Sequence, residues 1–321
     1  MKRVIYILVW ALMIQGVFAQ PSADSIRKPE MTLSGVSSAT AGVIAYSPNG
    51  RFLAVANEKV IQIYDPRLRG SLSPRLSRTL TGHGAQILGI AFSDSNTLVS
   101  VSLDQTAKIW DDATGKMLHS VEIQFAKQIQ FVLAPGHSSL ATDSSFGKVR
   151  LWNYQTGEIL KTFEPNDSLA SALAFTPNGK SLVIGTEKGV LRVMDVATWT
   201  VARAIDLDSP IHSLAASAEH AIVGYSDGTI AVLDFGDQTS IPEVRKQSGA
   251  INALAFSAKG DLFASGSADD TVNLWDSKTL KPLCSLQGHE APVVAVVFSP
   301  DGQNIASLDA KGVLHTWNVT K

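Results

Sequence analysis

The stretch "VSVSLDQTAKIWD" at residues 99–111 is echoed by "ASGSADDTVNLWD" at 264–276. Both set a serine, a turn aspartate and a Trp-Asp pair at the same offsets. One such phrase is an ordinary strand pair; two imply a repeat. Working outward, the gaps from Trp110 to Trp152 and from Trp275 to Trp317 are each 42 residues. "GTEKGVLRVMD" places Met194 42 residues after Trp152, and "YSDGTIAVLD" places Leu233 42 before Trp275. "ANEKVIQIYD" supplies Tyr64 upstream, so seven positions carry one motif.

Six of the seven copies also hold an earlier apolar strand: "VIAYS", "GIAFS", "QFVLA", "ALAFT", "ALAFS" and "AVVFS". The fifth copy has "SLAAS" instead. The second copy reads as four strands, Ile87–Phe92, Thr97–Ser102, Thr106–Trp110 and Met117–Ile123. Turn-type separators lie between strands, such as "SDSN" and "DATGK" here and "SPNG", "TPNG", "SAKG" and "SPDG" elsewhere. No segment sustains helical periodicity. A four-stranded unit this short cannot bury both faces alone, so copies stacked around an axis are the expected solution.

With "TGHG…SVSLDQTAKIWD" (81–111), "LQGHEAPVVAVVFSPDG" (286–302) and "HTWN" (315–318), the chain resembles the WD-repeat β-propeller family. The resemblance implies an all-β, seven-bladed propeller of four-stranded antiparallel blades. The last copy ends at "HTWNVTK", with no residues for a fourth strand, while "PEMTLSG" (29–35) looks like "SRTLTGH" (77–83). Glu30–Leu33 is therefore expected to complete the last blade and close the ring, removing an open edge. The expected blades are approximately 36–80, 81–123, 124–165, 166–206, 207–246, 247–287 and 288–321 plus 29–35.

His83, Ser100, Asp104 and Trp110 contain the parts of an acyl-transfer triad. In the family that this copy resembles, those residue types form a structural network tying a blade together. No glycine elbow or oxyanion motif accompanies Ser100, which favours structure and no catalytic residue. Partial sets are expected elsewhere. Ser265, Asp269 and Trp275 stand with Gln247 in the histidine place; His289, Ser307 and Trp317 stand with Lys311 in the aspartate place. Phe146 and Lys188 occupy that aspartate place in the third and fourth copies.

The composition is that of a globular chain: 321 residues, 45% hydrophobic, 17% charged, formal charge −2. Near-neutral charge without a basic stripe gives no reason to expect nucleic acid as partner. A single cysteine, Cys284, excludes an intrachain disulfide and a cysteine metal site. The scattered histidines have no ligand spacing, so neither metal nor cofactor is expected. Lys2 and Arg3, the apolar run "VIYILVWALMIQGV" (4–17) and "FAQPSADS" read as a signal peptide over 1–19, cleaved after Ala19. An uncleaved anchor is the alternative, though the run is short for a membrane span. Residues 20–28 then form a linker, and the destination is the periplasm or the cell exterior.

The expected role is a monomeric, non-enzymatic platform for unidentified protein partners. The resemblance places contacts on the upper rim, at Leu103, Ser145, Glu187, Ser226, Ala268 and Ala310. Trp199, in a turn, is a further contact candidate. An Arg-rich insertion at 66–79 reads as a solvated loop or an anionic-partner site. The competing reading is an exported propeller enzyme, or a metal or small-ligand binder, using the central channel.

Overall fold

The computed structural model describes residues 26–36, 43–66, 75–93, 97–123, 130–143, 148–164, 169–236, 243–244 and 247–320. Its strands follow the alternating apolar segments. Ahead of the first blade lie β1 (Ile26–Arg27) and β2 (Met31–Leu33). Blade 1 contains β3 (Ile44–Tyr46), β4 (Leu53–Asn57), β5 (Val60–Asp65) and β6 (Arg75–Thr81). Blade 2 contains β7 (Ile87–Phe92), β8 (Thr97–Ser102), β9 (Thr106–Asp111) and β10 (Met117–Glu122). Blade 3 contains β11 (Phe131–Leu133), β12 (Ser139–Thr142), β13 (Val149–Asn153) and β14 (Ile159–Phe163). Blade 4 contains β15 (Ala170–Phe175), β16 (Ser181–Thr186), β17 (Val190–Asp195) and β18 (Thr200–Asp206). Blade 5 contains β19 (Ser213–Ala216), β20 (His220–Gly224), β21 (Ile230–Asp234) and β22 (Glu243–Val244). Blade 6 contains β23 (Ile251–Phe256), β24 (Leu262–Ser267), β25 (Thr271–Asp276) and β26 (Pro282–Gln287). Blade 7 contains β27 (Val293–Phe298), β28 (Asn304–Asp309) and β29 (Leu314–Asn318).

The closing strand is where the repeat arithmetic places it. β2 pairs antiparallel with β29, with Thr32 opposite His315, and completes blade 7. Further bonds cross the seam: Glu30 N–H to the Thr316 carbonyl at 2.8 Å and Val36 N–H to that of Gly312 at 3.0 Å. Gly312 sits at φ 75°, and a Cβ there would lie 1.8 Å from the Val36 carbonyl oxygen, so the seam needs a glycine at this point.

The segment read above as a linker, 20–28, behaves differently in its described part. β1 lies parallel on the outer edge of blade 6, with Ile26 opposite Ser285, making a fifth strand. Arg27 then reaches across to blade 7, where its Nη1 donates to the carbonyls of Asn318 (2.6 Å) and Thr320 (3.0 Å). Residues 1–19, read above as a signal peptide, lie outside the described residues.

The core lies between blades rather than within them. Val99, Val101 and Ile109 of blade 2 pack on Leu140 and Trp152 of blade 3, and the seam is filled by Val43, Ile44 and Leu53 against Ala306, Leu308 and Leu314. Gly266 is needed for such contact, since a Cβ there would meet Val293 of the next blade at 2.6 Å. Each fully buried large apolar side chain, such as Trp317 or Leu98, contributes on the order of 2–3 kcal/mol. Each blade therefore depends on its neighbours to bury its faces.

Candidate functional site

The four-residue network of blade 2 forms because β8 and β9 pair Ser100 with Lys108 and Leu98 with Trp110, bringing Trp110 and Ser100 onto one face. Trp110 Nε1–H donates to Ser100 Oγ at 2.8 Å. Ser100 Oγ–H donates to His83 Nε2 at 2.7 Å, and His83 Nδ1–H donates to Asp104 Oδ2 at 2.8 Å. This order of donors assigns His83 as a neutral imidazole protonated on Nδ1. Asp104 also accepts from the Gly84 amide (2.8 Å) and from Thr106 Oγ1 (2.6 Å). Burial pushes the Asp104 carboxyl up, but bonds from Thr106, Gly84 and His83 outweigh it and hold it down at about 2. Burial lowers His83. Ser100 is wholly buried, with its oxygen already engaged by Trp110.

Blade 7 corrects the sequence reading. Lys311 does stand four residues after Ser307, yet the network is complete, because Asp309 supplies the carboxylate. His289 Nδ1 lies 2.9 Å from Asp309 Oδ2, His289 Nε2 lies 2.7 Å from Ser307 Oγ, and Trp317 Nε1–H donates to Ser307 at 2.8 Å. The reason is strand periodicity: Asp309 is two residues beyond Ser307 on β28 and shares its face. In blade 2 that position is Ser102, which bonds instead to the Ala85 carbonyl. Lys311 turns outward and its Nζ donates to the Glu290 carbonyl at 2.9 Å.

Blade 6 substitutes an amide for the imidazole. Ser265 Oγ–H donates to Gln247 Oε1, and Gln247 Nε2 donates to Thr271 Oγ1 at 3.1 Å. Thr271 in turn bonds Asp269 Oδ1 at 2.6 Å, while Trp275 Nε1–H donates to Ser265 at 2.8 Å. In blade 3, Trp152 Nε1–H donates to Thr142 Oγ1 at 2.9 Å; Phe146 lies outside the described residues. Lys188 of blade 4 is exposed.

On the upper rim of blades 2, 4, 6 and 7, the turn after the second strand sits beside the residue entering the inner strand. Leu103 N–H bonds the Gln86 carbonyl, Glu187 that of Leu169, Ala268 that of Ala250 and Ala310 that of Pro292. Leu103, Glu187, Ser226 and Ala310 are exposed and Ala268 is half-buried; Ser145 lies outside the described residues. Sequence reasoning missed two members of this rim. Leu169, 43% exposed, stands beside Glu187. Asp143, which accepts from the Gln130 amide at 2.8 Å, is raised by burial to about 6. Neither falls in a motif slot, so spacing carried no signal for them.

Trp199 folds back. It is half-buried against the core between blades 3 and 4, in a left-handed turn position (φ 56°), and its Nε1 has no hydrogen-bond partner among the described residues. The insertion is described only in part: Arg67 and Arg69 lie outside the described residues, while Arg78 donates to the carbonyls of Asp112 and Ala113. Cys284 is buried in the core between blades 6 and 7, and burial raises its thiol. Among the described residues, no group of three His, Cys, Asp or Glu side chains is placed to hold a metal, and no helix is long and apolar enough to cross a membrane. Exposed apolar side chains also mark the first residues of the outer strands of blades 2 and 3, at Met117, Leu118, Ile159 and Leu160.

Residues 74–111, 240–276 and 280–318 match the family model described as WD domain, G-beta repeat. Over 91 residues, covering 24% of this chain and 17% of the relative, the sequence is 40% identical to nuclear distribution protein PAC1 of Scheffersomyces stipitis. It is 33% identical over 87 residues to the human angio-associated migratory cell protein, covering 27% of this chain and 20% of that protein. A WD repeat-containing protein 91 homolog from Dictyostelium discoideum is 27% identical over 96 residues, covering 30% of this chain and 12% of the relative. The chain thus spans a fifth or less of the length of these curated relatives. Seven four-stranded blades, networks built on Trp110, Trp275 and Trp317, and repeat matches in three places make the chain a member of the WD-repeat β-propeller family.

Proposed function

We propose that this propeller is a non-enzymatic scaffold that binds protein partners on its upper rim, in an extracytoplasmic compartment. The observation that carries the reading is a division of labour among polar groups. Ser100, His83 and Asp104 are engaged by one another and by Trp110, Thr106 and Gly84 inside the blade, whereas the rim offers outward groups of mixed chemistry. Leu103, Leu169, Glu187 and Ser226 share no single ligand chemistry, which suits a protein surface better than one small molecule. The leader-like residues 1–19 support the compartment. Relatives named as WD-repeat proteins support the scaffold role by analogy of fold.

The test is cross-linked affinity capture from the extracytoplasmic fraction, run with the chain and with a Leu103→Arg, Glu187→Arg double variant. A stoichiometric protein held by the first and lost from the second establishes the rim as the site. Retention of only a metal or small molecule moves the function to the channel and ends the scaffold reading. Recovery of the chain solely from the cytoplasm ends the assignment of compartment.

A further inference from the structure

Blade 7 takes its outer strand from the opposite end of the chain, so the contacts on β2 decide whether the ring stays closed. One side-chain bond crosses that ladder: Thr32 Oγ1 lies 2.8 Å from His315 Nδ1. The other ring nitrogen, Nε2, lies 3.2 Å from the Gly288 carbonyl oxygen. A neutral His315 protonated on Nε2 satisfies both, donating to Gly288 and accepting the Thr32 hydroxyl. Its ring centroid is 4.4 Å from that of His289, the buried imidazole of the blade 7 network. Two buried imidazoles in contact therefore join the network of the last blade to the strand that closes the ring.

A proton on either ring disturbs this arrangement. On His315 it converts Nδ1 to a donor, so the Thr32 hydroxyl no longer has an acceptor there. On His289 it occupies Nε2, where Ser307 now donates. Either places a charge against the neighbouring imidazole and away from water. The charged or titratable groups on the surrounding elements are few. Asp309 on β28 faces His289; Lys311 follows it in the turn; Glu290 precedes β27; Lys28 and Glu30 precede β2. Asp309 favours a charged His289 but already accepts from the Lys311 and Val313 amides, at 2.9 Å each.

We propose that His289 and His315 form an acid-sensitive clasp, in which protonation releases β2 from β29 and opens the propeller at its seam. Burial, opposed by Asp309 and reinforced by His315, lowers His289 to about 4, so the direction of the effect agrees with the geometry. Blade 6 is the internal control. It carries Gln247 in the His289 place and Asn273 in the His315 place, so the same framework there has no titratable ring. Blade 2 shows what the His315 position does elsewhere: Lys108 Nζ donates to Ser120 on the outer strand of its own blade at 2.7 Å.

The experiment is pulsed hydrogen exchange on the full chain after equilibration at pH 7 and at pH 4.5, corrected for intrinsic rates. The peptides compared cover 29–36 and the blade 6 strands 262–276. Protection of 29–36 is expected to fall by about tenfold or more on acidification while blade 6 stays protected. A His289→Gln, His315→Asn variant, copying blade 6, is expected to remove that dependence. Unchanged protection of 29–36, simultaneous loss in blade 6, or an unaltered dependence in the variant overturns the proposal. If the variant does not fold, the two-peptide comparison in the unaltered chain decides alone.

Discussion

Blades 6 and 7 build the same framework from different chemistry. In blade 6 a serine bonds an amide, Gln247, and the outer strand β26 follows directly from its own blade. In blade 7 a serine bonds an imidazole, His289, and the outer strand comes from the far end of the sequence. The amide fills the histidine place because the position requires an acceptor towards serine and a donor towards the turn, and both groups provide that pair. The difference lies in what each can change: an amide has no titration near neutral pH, and an imidazole does. Of these two blades, the one that joins the chain ends is the one that sets two imidazoles in contact.

The largest expected effect comes from removing the join. A chain beginning at Val36 loses β1, β2, the Arg27 bonds and the covered edge of β29. It should lose cooperative unfolding, as seen by following tryptophan fluorescence and far-UV circular dichroism through a urea titration. Coincident single transitions like those of the full chain would show that closure by β2 does not couple the blades.

Next in size are the carboxylates. Asp309→Ala strands His289 and the amides of Lys311 and Val313, and should cost on the order of 1–3 kcal/mol in urea unfolding. Asp104→Ala should cost a similar or smaller amount, because Asp104 is 16% exposed and water can replace part of what is lost, whereas Asp309 is 1% exposed. A larger loss at Asp104 would reverse this ranking of the two networks.

The pH dependence separates the blades more gently. His289 is held below its ordinary value of 6.5, at about 4, so between these values the unfolded chain takes up a proton that the folded chain refuses. Stability therefore rises with pH across that window and falls on acidification, by at most one proton, on the order of 1 kcal/mol per pH unit. His289→Gln should flatten this slope, leaving the part due to His83, which burial lowers in the same direction. Asp104 acts in a lower window: stability that it supplies above 3.8 is lost as the pH falls towards about 2. The smallest effect is expected at Lys311. Exposed and bonded only to a carbonyl, it should shift stability by less than about 0.5 kcal/mol on change to Ala. A loss as large as that of Asp309→Ala would mean that Lys311 belongs to the network after all.

How far the site was legible in the sequence varies by residue. Ser100, Asp104 and Trp110 stand at fixed offsets in one phrase, and the offset alone brings them together, because two paired strands and a turn have little freedom. Asp309 escaped notice for the opposite reason. It occupies another slot but the same strand face, and only the pairing of β28 with β29 shows that a carboxylate two residues from Ser307 reaches His289. Thr32 and His315 stand in segments read as strands, but nothing in the sequence signals their bond or those of Arg27, since these partners lie almost 300 residues away along the chain.

The number of blades, their strand order and the closing of the last blade by the segment that holds β2 were all legible in the sequence. Those follow from a period, from turn residues and from a missing fourth strand, all of them local quantities. It took the folded chain to show that Ile26–Arg27 adds a parallel strand to blade 6, that Trp199 packs between blades 3 and 4, and that His315 meets both His289 and Thr32. Repeats encode their own hydrogen bonds, whereas contacts between repeats depend on the small rotation from blade to blade, which no stretch of forty residues contains.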